Sequence, residues 1–340
     1  MVNARGYITT NFTKSFLTIF LPFFLIISLV YLVKISALTA QIKLTFTELL
    51  TLFSYSVPDI IFYTLPLSFI AALANVLLKL STDNELIALY ALGLNANRIL
   101  RSLFMISLLF SILLLTISFL AMPMSKQLYK SFKEEKKNEA KLNIVPGKLG
   151  QKFGEYYVYV KEKNEDDTFK DLVIYNRTNM SNEQFFAAKH GKLNKHLGQT
   201  SLLLQDGYGY TYTKESLQQA QYKSLEAFDT TKPQNFHFED ILVYWEKAPH
   251  DKRIMHRLLF FLFVSLIPLL SVYLVAAFSM INPRYQSNHS FTVIFGTTML
   301  LYLIASSLEK WGNMTMLIVA ILITLAGGIF LFQKRVARYF

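Results

Sequence analysis

Six stretches of this chain carry no charged side chain: residues 15–33, 60–78, 102–125, 258–283, 285–308 and 311–333. Each approaches or exceeds the roughly 20 apolar residues that a helix needs to cross a hydrocarbon core about 30 Å thick. Three lie before residue 126 and three after residue 257, and a polar, aromatic-rich segment separates the two sets. The layout predicts an α-helical membrane protein with six transmembrane helices and one inserted domain. The boundaries fall at 1–125, 126–257 and 258–340. Pro22, Pro66 and Pro268 lie within the apolar stretches, where membrane helices accept proline at the cost of a kink. Gly327-Gly328 would permit close helix contact in the last span.

Composition agrees with a lipid-solvated surface: 53% of the residues are hydrophobic and only 17% charged, against about 25% charged in a soluble domain. The net charge is +11. Residues 126–257 carry 22 Lys/Arg and 18 Asp/Glu, which leaves 12 and 5 elsewhere. The larger excess therefore sits in the membrane part, where it reports orientation rather than nucleic-acid binding. No cysteine is present, so disulfides, thiol nucleophiles and zinc-thiolate sites are excluded. The first apolar run exceeds the usual 7–15-residue core of a secretory signal and no small-x-small cleavage site follows closely, so it is expected to be retained.

With the N-terminus inside, the inner segments carry Arg5, Lys14, Lys79, Arg98, Arg101, Arg284, Lys334, Arg335 and Arg338, and the short outer segments only Lys34, Lys43 and Lys310. The positive-inside rule then makes both termini cytoplasmic and the inserted domain periplasmic. Within that domain, Tyr156-Tyr157-Val158-Tyr159-Val160, Leu172-Val173-Ile174-Tyr175, Ser201-Leu202-Leu203-Leu204 and Tyr208-Gly209-Tyr210-Thr211-Tyr212 read as short strands. Turn formers such as Asn164, Asp166, Asp167 and Asp206-Gly207 are expected to separate them. An all-β domain follows, a sandwich or jelly-roll-like arrangement of short strands. Residues 126–142 read as a charged helical extension of the third span, closed by Pro146-Gly147.

The inner connection at 81–93 stands out. Thr82 and Glu85 have the spacing of a capping box, Gly93 suits a helix stop, and Leu86 to Leu92 contains no charge. An apolar helix outside the bilayer needs a cover. Partial burial against the bundle, with Glu85 as a capping group, is one reading; a coupling helix seated in a groove of a cytoplasmic motor is the other.

Leu65-Pro66-Leu67-Ser68-Phe69, Asp83-Asn84-Glu85-Leu86 with Ala88-Leu89 and Ala91-Leu92-Gly93, Ala187-Ala188-Lys189-His190-Gly191, Leu202-Leu203-Leu204-Gln205-Asp206-Gly207 and Asn282-Pro283-Arg284 together resemble the LptF/LptG (YjgP/YjgQ) permease family. The resemblance covers the whole chain, and the Leu65-Pro66-Leu67 context leans toward LptF. It implies a transmembrane subunit of an ABC exporter that extracts lipopolysaccharide from the inner membrane. The implied partners are the other LptF/LptG subunit in a heterodimer, an LptB-like ATPase dimer, and the periplasmic proteins LptC and LptA. The motor-facing residues would be Asp83, Glu85, Leu86, Leu89, Tyr90 and Gly93. Lys34, one residue beyond the first uncharged run, is either an interfacial anchor or, by the family's use of basic residues there, a ligand for lipid A phosphates.

Chemistry of its own is not expected. The phosphate-loop pattern is missing, Pro146-Gly147-Lys148-Leu149-Gly150 lacking its spacing. The six histidines show no ligand spacing, with His190 and His196 read as surface residues of a loop-rich region. Asp59 is read as a helix N-terminal partner rather than a proton relay, and Glu309-Lys310 as a solvated turn. No cofactor, metal or catalytic residue is predicted. The competing class is an envelope receptor or scaffold with a periplasmic β-domain and no transport.

Overall fold

The computed structural model describes residues 4–39, 44–142, 144–153, 156–164, 168–176, 182–196, 199–213, 216–228, 238–281 and 290–338. The Asn282-Pro283-Arg284 motif, Lys43, Asp166 and Asp167 lie outside them. The chain divides into two compact units, one of residues 1–38, 45–129 and 238–340, which holds the apolar helices, and the other of residues 39–44 and 130–237, the division falling within α5.

In the helical unit, α1 (Ala4–Thr39), α2 (Phe46–Thr82), α4 (Ala96–Thr116) running through a π-helical turn (Ile117–Ala121) into α5 (Met122–Leu142), α7 (Lys252–Ser279), α8 (Ser290–Trp311) and α9 (Met314–Phe332) form the long elements. The short helices α3 (Glu85–Ala91) and α6 (Ile241–Glu246) lie in connections. Among the described residues six helices are long and apolar enough to cross a membrane. The prolines, with Pro58, stay inside their helices.

Helices α2 and α7 form the centre, burying Phe62, Phe69, Leu73 and Leu77 from one and Phe263, Val264, Ile267 and Val275 from the other. Small residues and hydroxyls serve that centre. Gly328 of α9 is buried against α7, where an added Cβ would come within 3.3 Å of Tyr273 and Leu274, whereas Gly327 faces open space. The outer helices keep Leu25, Leu29, Leu109, Phe291 and Ile323 exposed, a surface that only lipid or another apolar partner satisfies.

The π-helical turn was not legible as such, and it has a use. Widening the helix frees carbonyls from their ordinary partners, and the Trp245 indole Nε1 donates to Phe119 O at 3.0 Å. The ends of the insert meet nearby within the helical unit: Gln127 Nε2 donates to Glu239 O at 3.0 Å, and Glu239 N donates back to Gln127 Oε1 at 2.9 Å.

Two sequence expectations fail in this unit for reasons of helix length. Because α2 begins at Phe46, Asp59 lies deep within it, not at its N-terminus; its carboxylate instead sits 3.7 Å from Lys126 Nζ of α5. Glu309 and Lys310 occupy the last turn of α8 rather than a loop, although both remain exposed.

The second unit is one six-stranded antiparallel meander, in the order β1 (Gln151–Phe153), β2 (Tyr156–Lys163), β3 (Thr168–Asn176), β4 (Asn182–His196), β5 (Gln199–Thr213) and β6 (Leu217–Phe228). The all-β insert is therefore borne out. Asp206-Gly207 is not a turn: β5 continues through it, with Ala188 opposite Gly207 and Gln205 opposite His190. His190 and His196 accordingly belong to β4, not to loops.

Alternation breaks along a line that crosses every one of these long strands. Val158 and Val160, Ile174 and Leu172, and Ala188 and Gly207 face inward on one side of the line; Phe169, Gly191, Leu204, Leu202 and Ala227 face inward on the other. Between them, two successive residues per strand point outward and are exposed: Lys161-Glu162, Lys170-Asp171, Lys189-His190, Gln205-Asp206 and Lys223-Ser224. Asp171 and Asp206 reach this by left-handed backbone, at φ 50° and 55°, a conformation that a short polar side chain tolerates. The register places Lys161, Asp171, Lys189, Asp206 and Lys223 in one row of alternating charge. Lys161 Nζ and Asp171 Oδ2 are 3.4 Å apart. The sheet bends at this row, and the inner faces of both halves share one apolar cluster.

Candidate coupling segment and outer lysine

The connection between α2 and α4 is built differently from the expected capping box. Thr82 is still helical, and the Asp83 N–H closes α2 on Lys79 O at 2.9 Å. Asn84 then turns the chain with a left-handed φ of 60° and caps α3 without a side-chain hydrogen bond. Glu85 is thus the first residue of α3, not its third. The capping box exists elsewhere, at the start of α2: Thr45 N donates to Glu48 Oε2 at 2.7 Å, and Glu48 N to Thr45 Oγ1 at 3.4 Å. Both places carry Thr-x-x-Glu. Only at the second is the threonine free of a preceding helix.

The C-terminal stop is as expected. Gly93 has φ 78°, its N–H meets Tyr90 O at 2.9 Å, and the Leu94 N–H reaches Leu89 O at 3.1 Å. That pair of bonds is a Schellman closure, and a left-handed residue at its centre favours glycine.

Between these ends α3 has two faces. Leu86 is buried in the helical core, with Leu89 and Tyr90 packed half-buried beside it; burial pushes the Tyr90 phenol pKa well up. Ile87 is 41% exposed and Leu92 74%, so the outer face is apolar and uncharged. Leucine burial and an exposed apolar face, which the sequence offered as alternatives, coexist on one short helix.

Two residues that the sequence did not single out hold the segment. The Tyr7 hydroxyl of α1 donates to Glu85 Oε2 at 2.7 Å. Ser81 is buried, and its Oγ lies 3.0 Å from Ser279 O and 2.9 Å from Leu77 O while accepting from Ile281 N at 3.2 Å. Ser81 thus ties the end of α2 to the end of α7. No local pattern marks either residue, because Glu85 for Tyr7, and Ser279 and Ile281 for Ser81, lie far away in sequence.

Lys34 stands apart from this group. It projects from α1 beside Tyr31, with Nζ 5.1 Å from the ring centroid, and is exposed. Tyr7 and Lys34 are separated by about 40 Å along α1 at 1.5 Å per residue. The candidates are therefore two places: Asp83, Glu85, Leu86, Leu89, Tyr90 and Gly93 gathered around α3, and Lys34 at the opposite end of α1. Among the described residues no group of acidic, histidine or cysteine side chains could hold a metal ion.

A family model described as "Lipopolysaccharide export system permease LptF/LptG" matches residues 6–334, nearly the whole chain. A comparison with individually curated proteins gives no match.

Proposed function

The chain belongs to the LptF/LptG family of lipopolysaccharide export permeases, and from that premise we propose that it is the transmembrane subunit of an ABC exporter that lifts lipopolysaccharide out of the inner membrane. The observation that carries this reading is α3. Leu86 anchors it in the bundle, Tyr7 holds its first residue, Ser81 ties the end of α2 just before it to the end of α7, and Ile87 and Leu92 leave an uncharged face outward. A helix so mounted transmits force from a partner seated on that face into α2 and α7.

In this reading an LptB-like ATPase dimer covers α3, a second LptF/LptG subunit completes the cavity, and LptC and LptA receive the lipid. Both termini face the cytoplasm and the β-unit faces the periplasm. Extraction must offset about 0.8 kcal/mol for every acyl methylene drawn from the bilayer, so shelter and external work are both required. Lys34 at the outer end of α1 pairs with lipid A phosphates, an ammonium–phosphate contact being charge-assisted. The bent sheet offers an apolar inner face, and β6 an edge on which a neighbouring strand can add.

Glu85→Arg and Leu92→Asp test the motor contact. Each is expected to leave the chain in the membrane while co-purified ATPase and lipopolysaccharide-stimulated ATP hydrolysis fall at least several-fold. A chain that never recovers an ATPase is the receptor or scaffold instead.

A further inference from the structure

At the end of α1 that carries Tyr7, a cavity of about 250 Å³ with mixed polar and apolar walls opens between α1, α2 and the start of α3. Its walls include Asn11, Lys14, Ser15, Asn75, Lys79 and Glu85. Lys14 immediately precedes the first uncharged run and Lys79 immediately follows the second, so both ammonium groups stand at the same membrane face. Among the described residues neither forms an ion pair. The one carboxylate in the walls, Glu85, accepts the Tyr7 hydroxyl, and Asn75 Nδ2 donates to Ser15 Oγ at 3.1 Å. Two ammonium groups, amides and hydroxyls around a small opening suit a phosphate, whose oxygens only accept.

The surface beside the cavity says what the phosphate is attached to. Leu21 and Leu25 lie seven and eleven residues beyond Lys14, on the same face of α1, and are exposed at 53% and 60%. A headgroup held by Lys14 would lay its acyl chains along that stripe. A free phosphate has no use for it.

We propose that this cavity binds the phosphate of an anionic phospholipid in the leaflet on the α3 side, so that the bound headgroup bridges α1 and α2 next to the Tyr7–Glu85 contact. The choice of leaflet rests on the orientation given under Proposed function. The test counts lipid rather than transport, so the two readings fail separately.

The full-length chain is placed in nanodiscs of phosphatidylcholine with a minor share of phosphatidylglycerol, and retained lipid is measured by native mass spectrometry. Phosphatidylglycerol should be enriched on the protein. Lys14→Gln and Lys79→Gln should each reduce that enrichment about five-fold, the weight of one basic residue at an anionic surface, and the arginine replacements should preserve it. Lys310→Gln, at the other membrane face, should change nothing. Loss in the arginine variants, equal loss with Lys310→Gln, or no loss with the glutamine pair would each overturn the assignment. Displacement of the lipid by inorganic phosphate at comparable concentration would show a free-phosphate site and overturn the lipid part.

Discussion

Ser81 carries three polar contacts on one buried hydroxyl, and its removal leaves the Ile281 N–H and the Ser279 carbonyl without that partner. Ser81→Ala is expected to cost about 1–3 kcal/mol, the penalty for a buried group left unsatisfied, read as a lower midpoint of thermal unfolding in detergent. The exposed Tyr7–Glu85 bond belongs to a different class. Tyr7→Phe should shift stability little yet weaken ATPase coupling, because what it loses is the aim of Glu85. In the β-unit, burial pushes the Tyr222 phenol up to about 12 from 10.0, and its hydroxyl donates to Ala187 O at 3.0 Å. The folded state holds this proton more tightly than the unfolded one. Its contribution is therefore complete below the ordinary phenol range and lost as pH rises from about 10 to about 12. Phenolate absorbance should show a late-titrating component, to which the half-buried Tyr90 also contributes, that shrinks by one tyrosine in Tyr222→Phe.

At the scale of elements, the crease in the sheet depends on backbone that few residues accept. Asp206→Gly should be tolerated, whereas Asp206→Val places a β-branched residue at positive φ and should cost about 1–2 kcal/mol. Gly207→Ala is worse in kind: its Cβ would collide with Ala187 O and the Tyr222 ring. Protease resistance of the insert in the intact chain would rank the three. The strand runs 156–160 and 172–175 were legible because alternation there is undisturbed and local. The crease was not, since Asp-Gly reads as a turn until partner strands on both sides carry the ladder through it. The same limit misplaced the capping box. Thr-x-x-Glu is a local signal, and whether a helix has already claimed the threonine at 82 depends on how far α2 extends.

For the whole molecule, the six spans and the midpoint insert were readable because a bilayer imposes length and charge exclusion directly on the sequence. The clustering around α3 was readable only as a stretch of chain; Tyr7, Ser81, Lys14 and Lys79 joined it through folding. Orientation can be tested without background, because the chain has no cysteine. Asp83→Cys and Lys189→Cys should react with an impermeant maleimide from opposite sides of the inner membrane, and labelling of both from one side would refute the topology. Replacement of residues 131–237 by a short flexible linker should leave the helical unit folded, as judged by its detergent-resistant helicity, while lipid transfer is lost.

That last expectation reaches beyond one experiment. The backbone departs at Gln127 and comes home at Glu239, where a single amide grips both ends. To the bundle, everything in between behaves as a closed ring whose circumference hardly matters, since closure entropy grows only logarithmically with length. The inserted unit can then be exchanged for another of different size while the helical unit keeps its register.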